Sequence, residues 1–243
     1  MNRRGDIHPL PLEDLAGADV KRGRPWLLVH DPPVDAAFDV FAYGTTQDTE
    51  AIEGASPLDI RWKRLSGQRA ESRFFTARLR TIDAEEVPAR IGHARDRAVD
   101  IKAALRRSLG IGTDLSGAPG RTIGRGQVVA LSTEVADYLD GARTAVIITE
   151  PAYAALRRHQ LLLPIYHGEQ EEARPGEVEA DAPWVRDLPG AHRRAVIAVP
   201  LILTHSEAGR PRQPGGIIGI VQVTVDAGTM ARIDDELVTQ LQL

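Results

Sequence analysis

The sequence predicts a mainly β protein with small helices, built from two similar halves. Three observations carry this. Short apolar and β-branched runs are bounded by turn residues; a Gly-rich stretch divides the chain near its middle; and segments of the first half return in the second. At 243 residues, short strands with small helices suggest compact, strongly bent sheets or partly open barrels.

The first strand signal is "GRPWLLVHDP", Gly23 to Pro32. Trp26 to Val29 is too short and bulky for a helix and reads as a buried strand. Pro25 donates no ladder bond and belongs at the strand's first residue or on an edge, which leaves Arg24 at the strand's mouth. Further β-like runs are Val40 to Tyr43, Phe74 to Leu79, Val146 to Ile148, Leu161 to Ile165, Val196 to Ile202 and Ile217 to Val225. Ala98, Ile101, Leu105 and Leu109 share one helical face, with Gly110 as its C-cap. A second helical pattern is "PAYAALRRH" with Thr149 as cap, and a third follows Asp234 and Asp235. That last helix is expected to be shorter than its counterpart in the first half.

Composition narrows the chemistry. The chain has no cysteine, which excludes disulfides, thiolate metal sites and cysteine catalysis. Its seven histidines show no metal-ligand spacing, so no metal and no cofactor is expected. No apolar run approaches a membrane span and no signal-peptide core opens the chain, so a cytoplasmic protein without membrane contact is expected. The net charge of −4 conceals an asymmetry: residues 1–113 carry 18 basic and 17 acidic side chains, and residues 114–243 carry 12 and 17. Arg61, Lys63, Arg64, Arg69, Arg73, Arg78 and Arg80 are crowded into one stretch with a single acid, Glu71. Such a stretch reads either as a polyanion-binding face or as solvated surface.

The organisation is a tandem one. "GIGTDLSGAPGRTIGRG", Gly110 to Gly126, reads as a flexible linker, giving a first domain over 1–111, a linker over 112–125 and a second domain over 126–243. "GDIHPL" from Gly5 is echoed by "GQVVAL" from Gly126, and "RPWLLVHDP" by "RTAVIITEP" from Arg143. "RTIDAEEVPARI", Arg80 to Ile91, is echoed by "VTVDAGTMARI", Val223 to Ile233. Arg24 to Asp83 spans 59 positions and Arg143 to Asp226 spans 83. The excess is assigned to an acidic insertion over 168–190, whose Glu169 to Asp181 holds six acids and reads as a loop. Asp83 and Asp226 read as turn residues or helix caps.

These segments together resemble the MazF/PemK/Kid family of toxin–antitoxin endoribonucleases: "GDI" at Gly5, "RPWLLV" at Arg24, "YGTT" at Tyr43, "RTID" at Arg80 and a closing amphipathic helix. The resemblance covers residues 3–111 and, more faintly, 126–243. It implies two SH3-like (MazF/CcdB-type) barrels, the second degenerate, packed as a pseudo-dimer within a monomeric chain. It further implies a growth-inhibiting toxin that cuts single-stranded RNA without metal, and an antitoxin partner. In this reaction the RNA 2′-OH attacks the adjacent phosphorus, leaving a cyclic phosphate and a 5′-OH. A guanidinium suits the phosphoryl oxygens through its planar donor fork.

The resemblance assigns Arg24 to phosphate stabilisation and Thr45 to a phosphate oxygen as the catalytic pair. Thr46, Arg64, Arg69, Arg73, Arg78, Arg143 and Tyr166 are the RNA-binding candidates, and His167 stands beside Tyr166 in the altered second site. The pattern is incomplete: Phe75 and Ala77 occupy positions where some members have Arg and Asp, and Ala18 a position where some have His. His8 and His30 are nearby in sequence, but no general base is recognisable. Two alternatives therefore stand beside the nuclease. One is an inactive descendant binding nucleic acid or a protein; the other is an inhibitor of gyrase, as in the related CcdB-like branch. The acidic insertion is also a candidate mimic of RNA, lying across the groove in cis.

Overall fold

The computed structural model describes residues 2–10, 24–32, 36–45, 58–111, 124–139, 141–149, 159–167, 174–188, 194–206 and 217–243. The strands of the first half are β1 (Asp6–Leu10), β2 (Arg24–Leu28), β3 (Phe38–Thr45), β4 (Leu58–Arg64), β5 (Arg69–Asp83) and β6 (Gly92–His93), followed by α1 (Ala98–Leu109). Those of the second are β7 (Gln127–Leu131), β8 (Thr144–Ile147), β9 (His159–His167), β10 (Glu177–Ala180), β11 (Ala195–Ala198), β12 (Leu203–Ser206) and β13 (Ile217–Thr224). Among the described residues they are accompanied by the α-helices α2 (Thr133–Tyr138) and α3 (Ala227–Leu241). The expected mainly β character with small helices is what forms.

All pairings among the described strands are antiparallel. The first sheet closes into a barrel in the order β1-β2-β3-β5-β4-β6, and the second runs β10-β11-β9-β8-β7-β13, with β12 also paired to β9. Starting from β6 and from β13, the two orders are the same. Individual bonds match as well. Gly5 N–H donates to Leu28 O at 2.9 Å, and Gly126 N–H to Ile147 O at 2.8 Å. Both glycines have positive φ, +88° and +85°, a conformation that side chains disfavour. His30 Nε2 accepts the Val40 N–H at 3.1 Å, and Thr149 Oγ1 accepts the Leu161 N–H at 2.6 Å.

Two arginines cross between the halves. Arg4, just before Gly5, donates through Nε to Val29 O at 2.8 Å and through Nη2 to Leu241 O and Gln242 O at the end of α3. Arg125, just before Gly126, donates through Nε to Leu109 O at the end of α1 at 3.0 Å and to Ile148 O at 3.3 Å. Each guanidinium thus satisfies a carbonyl that a helix end leaves open. The main apolar core is shared: Ile7, Leu27, Phe74 and Leu105 belong to one buried cluster with Val128, Val146, Leu163 and Ile233.

Several expectations need correction. The "RTID" and "VTVD" stretches are not equivalent: Thr81 in β5 lies opposite Val40 in β3, whereas Thr224 in β13 lies opposite Gln127 in β7. Their likeness comes from shared strand-end chemistry. Asp83 accepts the Glu85 N–H and Asp226 the Thr229 N–H, each capping a helical turn. At 15 residues α3 is longer than α1 at 12, because Asp226 starts it. Asp234 and Asp235 lie inside the helix, where Asp234 pairs with Arg125.

The acidic insertion is not wholly a loop. Glu177–Ala180 alternates acids outward with Val178 and Ala180 inward and pairs with β11, and Glu179 is bonded to Arg194. Trp184, Val185 and Leu188 enter the core. The linker ends before its expected limit, since Arg125 is 7% exposed. Val196 to Ile202 is broken by a turn in which Leu201 N–H donates to Ala198 O, next to Pro200. The "PAYAALRRH" helix up to residue 158, residues 112–123 of the linker and the ends of the insertion, 168–173 and 189–190, lie outside the described residues.

Candidate nucleic-acid interface

Period-2 alternation assigns each first-half strand two faces. Leu27, Val29, Val40, Ala42, Ile60, Trp62 and Phe74 point to the shared core. The opposite face carries a second cluster of Leu10, Trp26, Leu28, Phe41, Tyr43 and Phe75. Arg24 precedes Trp26 by two residues and Thr45 follows Tyr43 by two, so both fall on this second face. The Trp26–Tyr43 cross-strand pairing brings them together.

Arg24 Nη1 donates to Thr45 Oγ1 at 3.1 Å. Arg24 is half-buried, and Thr45 is buried. Thr45 lies directly across from Arg73, which donates through Nε to Asp59 Oδ1 at 3.0 Å. Arg78 reaches the same face by another route. The β3–β5 register jumps from Ala42↔Leu79 to Tyr43↔Phe75, a bulge that re-aims the side chains within it. The Arg78 guanidinium then lies 4.4 Å from the Tyr43 ring centre, within cation–π range. Tyr43 meets Trp26 edge-on at 5.5 Å and stacks with Phe75 at 6.2 Å. Three arginines and a hydroxyl thus border an aromatic floor. Such an arrangement offers planar cationic forks for phosphate.

The remaining candidates are dispersed. Arg64 and Arg69 are exposed at the tip of the β4–β5 hairpin. Arg143 is exposed before β8, and Tyr166 is half-buried against the cluster of Val129, Leu131 and Leu162. Ala145 pairs with Pro164 as Trp26 does with Tyr43, so Arg143 and Tyr166 hold the register positions of Arg24 and Thr45. His167 Nε2 lies 2.7 Å from Thr144 Oγ1. Thr46 lies outside the described residues.

The histidines near Arg24 in sequence are engaged elsewhere. His8 Nδ1–H donates to Pro88 O at 2.8 Å and the residue is 1% exposed. His30 is buried and its Nε2 receives the Val40 N–H. Among the described residues, no group of three or more His, Asp or Glu side chains gathers as a metal site, and no helix is long and apolar enough to cross a membrane.

The sequence did not mark Trp26 and Tyr43 as a buried aromatic pair beneath Arg24 and Arg78, nor Asp59 and Glu71 as partners of the basic stretch. Strand alternation carries that signal, but only once the register of β4 against β5 is known. Comparison with protein-family models and with curated proteins finds no match to this chain.

Proposed function

We propose that this chain is a MazF/PemK-like endoribonuclease that cuts single-stranded RNA without metal, as two SH3-like barrels forming a pseudo-dimer within one chain. The observation that carries the reading is the Arg24–Thr45 hydrogen bond on the aromatic face that Arg78 also borders. Arg24 donates to the phosphoryl oxygens as the 2′-OH attacks phosphorus and the P–O5′ bond breaks; Thr45 holds the guanidinium and hydrogen-bonds the same phosphate. The pseudo-dimer and its origin by duplication are supported by the common strand order and by the crossed Arg4 and Arg125 contacts. An antitoxin is the protein partner this reading implies.

A second reading, a descendant that binds RNA without cutting it, is favoured by one observation: His8 and His30 are both committed to backbone groups inside the first half. One experiment decides between them. Purified full-length chain is incubated with single-stranded RNA in EDTA, beside Arg24→Ala. Cuts ending in cyclic phosphate and lost in the variant support the nuclease. Binding without cuts supports the second reading, and neither activity overturns both.

A further inference from the structure

The charged stretch of β4 and β5 is sorted by its register. On the face that carries Thr45, Asp59 stands opposite Arg73, Arg61 opposite Glu71 and Lys63 opposite Arg69. This ribbon starts beside Thr45 at Arg73 and runs four residues, about 13 Å, to the hairpin tip. Its first two rungs are balanced, with Arg73–Asp59 at 3.0 Å and Arg61–Glu71 at 3.6 Å. The third is not. Lys63 and Arg69 carry like charge directly across the strands, and Arg64 follows next in the chain. All three are exposed, and among the described residues none has a carboxylate within ion-pair distance.

Like charges directly opposite destabilise a strand pair, and an anion between them removes that cost. The tip is also held in shape. Leu65 N–H donates to Ile91 O at 3.0 Å, and Arg64 N–H to Gln68 O at 2.8 Å. The Arg64 guanidinium lies 5.7 Å from the Trp62 ring centre. Alternation places Arg64 with Trp62 on the core side of β4, and leaves Lys63 and Arg69 to form the charged rung on the Thr45 face.

We infer that Lys63 and Arg69 form a second phosphate-binding site for single-stranded RNA, at the far end of a ribbon that begins at Arg24 and Thr45. This rests on the RNA reading of that pair. The separation of about 13 Å lies within the reach of a few consecutive nucleotides of one strand. The balanced rungs set the track between the two sites, and the unbalanced rung anchors its end.

The test uses the full chain and a fluorescent single-stranded 12-mer with 2′-O-methyl groups, which cannot be cut. The Lys63→Gln/Arg69→Gln variant is expected to bind about tenfold more weakly at moderate salt. The slope of log affinity against log salt should fall by about 1.4, the loss of two contacts to a single strand. Lys63→Glu places opposite charges on the third rung, so it should weaken binding while its melting temperature rises or holds. Wild-type affinity and slope in these variants would overturn the site. A polyglutamate peptide bound as tightly as the RNA would also overturn it, in favour of an acidic protein partner. Binding lost in Arg24→Ala but kept in the Lys63/Arg69 variant overturns the tip site alone. No RNA binding by the wild type overturns the RNA reading with it.

Discussion

Arg24 and Thr45 lie 21 residues apart in sequence and touch because β2 and β3 pair in a fixed register. Arg24 was legible as a strand-mouth residue because Pro25 fixes the start of the strand. Its neighbour Arg78 was legible only as one cation among seven, since the bulge that turns it over Tyr43 has no marker as plain as a glycine or proline. Asp226 gives a prediction at this scale. The hydrogen bond from the Thr229 hydroxyl, with the Thr229, Trp184 and Gly228 N–H groups, holds its carboxyl at about 2, against the opposing effect of burial. A folded-state value below the ordinary 3.8 adds stability that is fully present above that pH and is lost as pH falls toward 2. Asp226→Asn puts a donor where the Thr229 hydroxyl and Trp184 N–H need an acceptor, and is expected to cost about 1 kcal/mol at neutral pH, solvent screening included, and to narrow its deficit against the wild type between pH 4 and 2. A deficit independent of pH over that interval, read from paired urea titrations, would contradict this role.

Among the elements, β5 is hydrogen-bonded to the second half at Thr81. Thr81 Oγ1 donates to Pro200 O at 2.8 Å and accepts the Ile202 N–H at 2.9 Å, while Thr81 N–H donates to Ile202 O at 3.2 Å. Thr81→Val leaves a donor and an acceptor unpaired and is expected to lower stability by about 2 kcal/mol. Thr81→Ser should restore most of it. The urea midpoint at unchanged slope reads this directly, and a valine variant as stable as wild type would dismiss the contact. This element also shows what sequence reading reaches. Strands with plain apolar runs were found, as at Val40 to Tyr43 and Leu161 to Ile165. β10 escaped because its alternation of Glu with Val and Ala lies in a segment dominated by charge. The false match of "RTID" with "VTVD" arose because a strand end capped by aspartate looks alike wherever it occurs, and only pairing partners distinguish the two.

Over the whole molecule, the crossed arginines tie each half to the other's closing helix. A charged donor removed from buried carbonyls leaves them without a partner, at a cost of about 1–3 kcal/mol. Arg4→Met and Arg125→Met should therefore each lower the melting temperature of the entire chain in a single transition. Two separate calorimetric transitions, in either variant or in the wild type, would show that the halves unfold independently. The crossing was invisible in sequence because Arg4 and Arg125 each stand before a glycine in an unremarkable setting, and Arg125 falls in a stretch that reads as linker. The shared core has the same origin: α1 and α3 each show one apolar face, but nothing local says which sheet it covers.

The central claim, that the guanidinium at the mouth of β2 receives an RNA phosphate, is tested most directly by comparing two variants at register-matched positions. Affinity of the full chain for an uncleavable single-stranded 12-mer is measured for wild type, Arg24→Ala and Arg143→Ala. The account predicts a loss of at least tenfold for Arg24→Ala, as expected for a hydrogen-bonded charge of about 1.5–3 kcal/mol, and a much smaller loss for Arg143→Ala, whose partner position holds Tyr166 in place of threonine. Equal affinities for wild type and Arg24→Ala, with the fold intact by melting temperature, would contradict it.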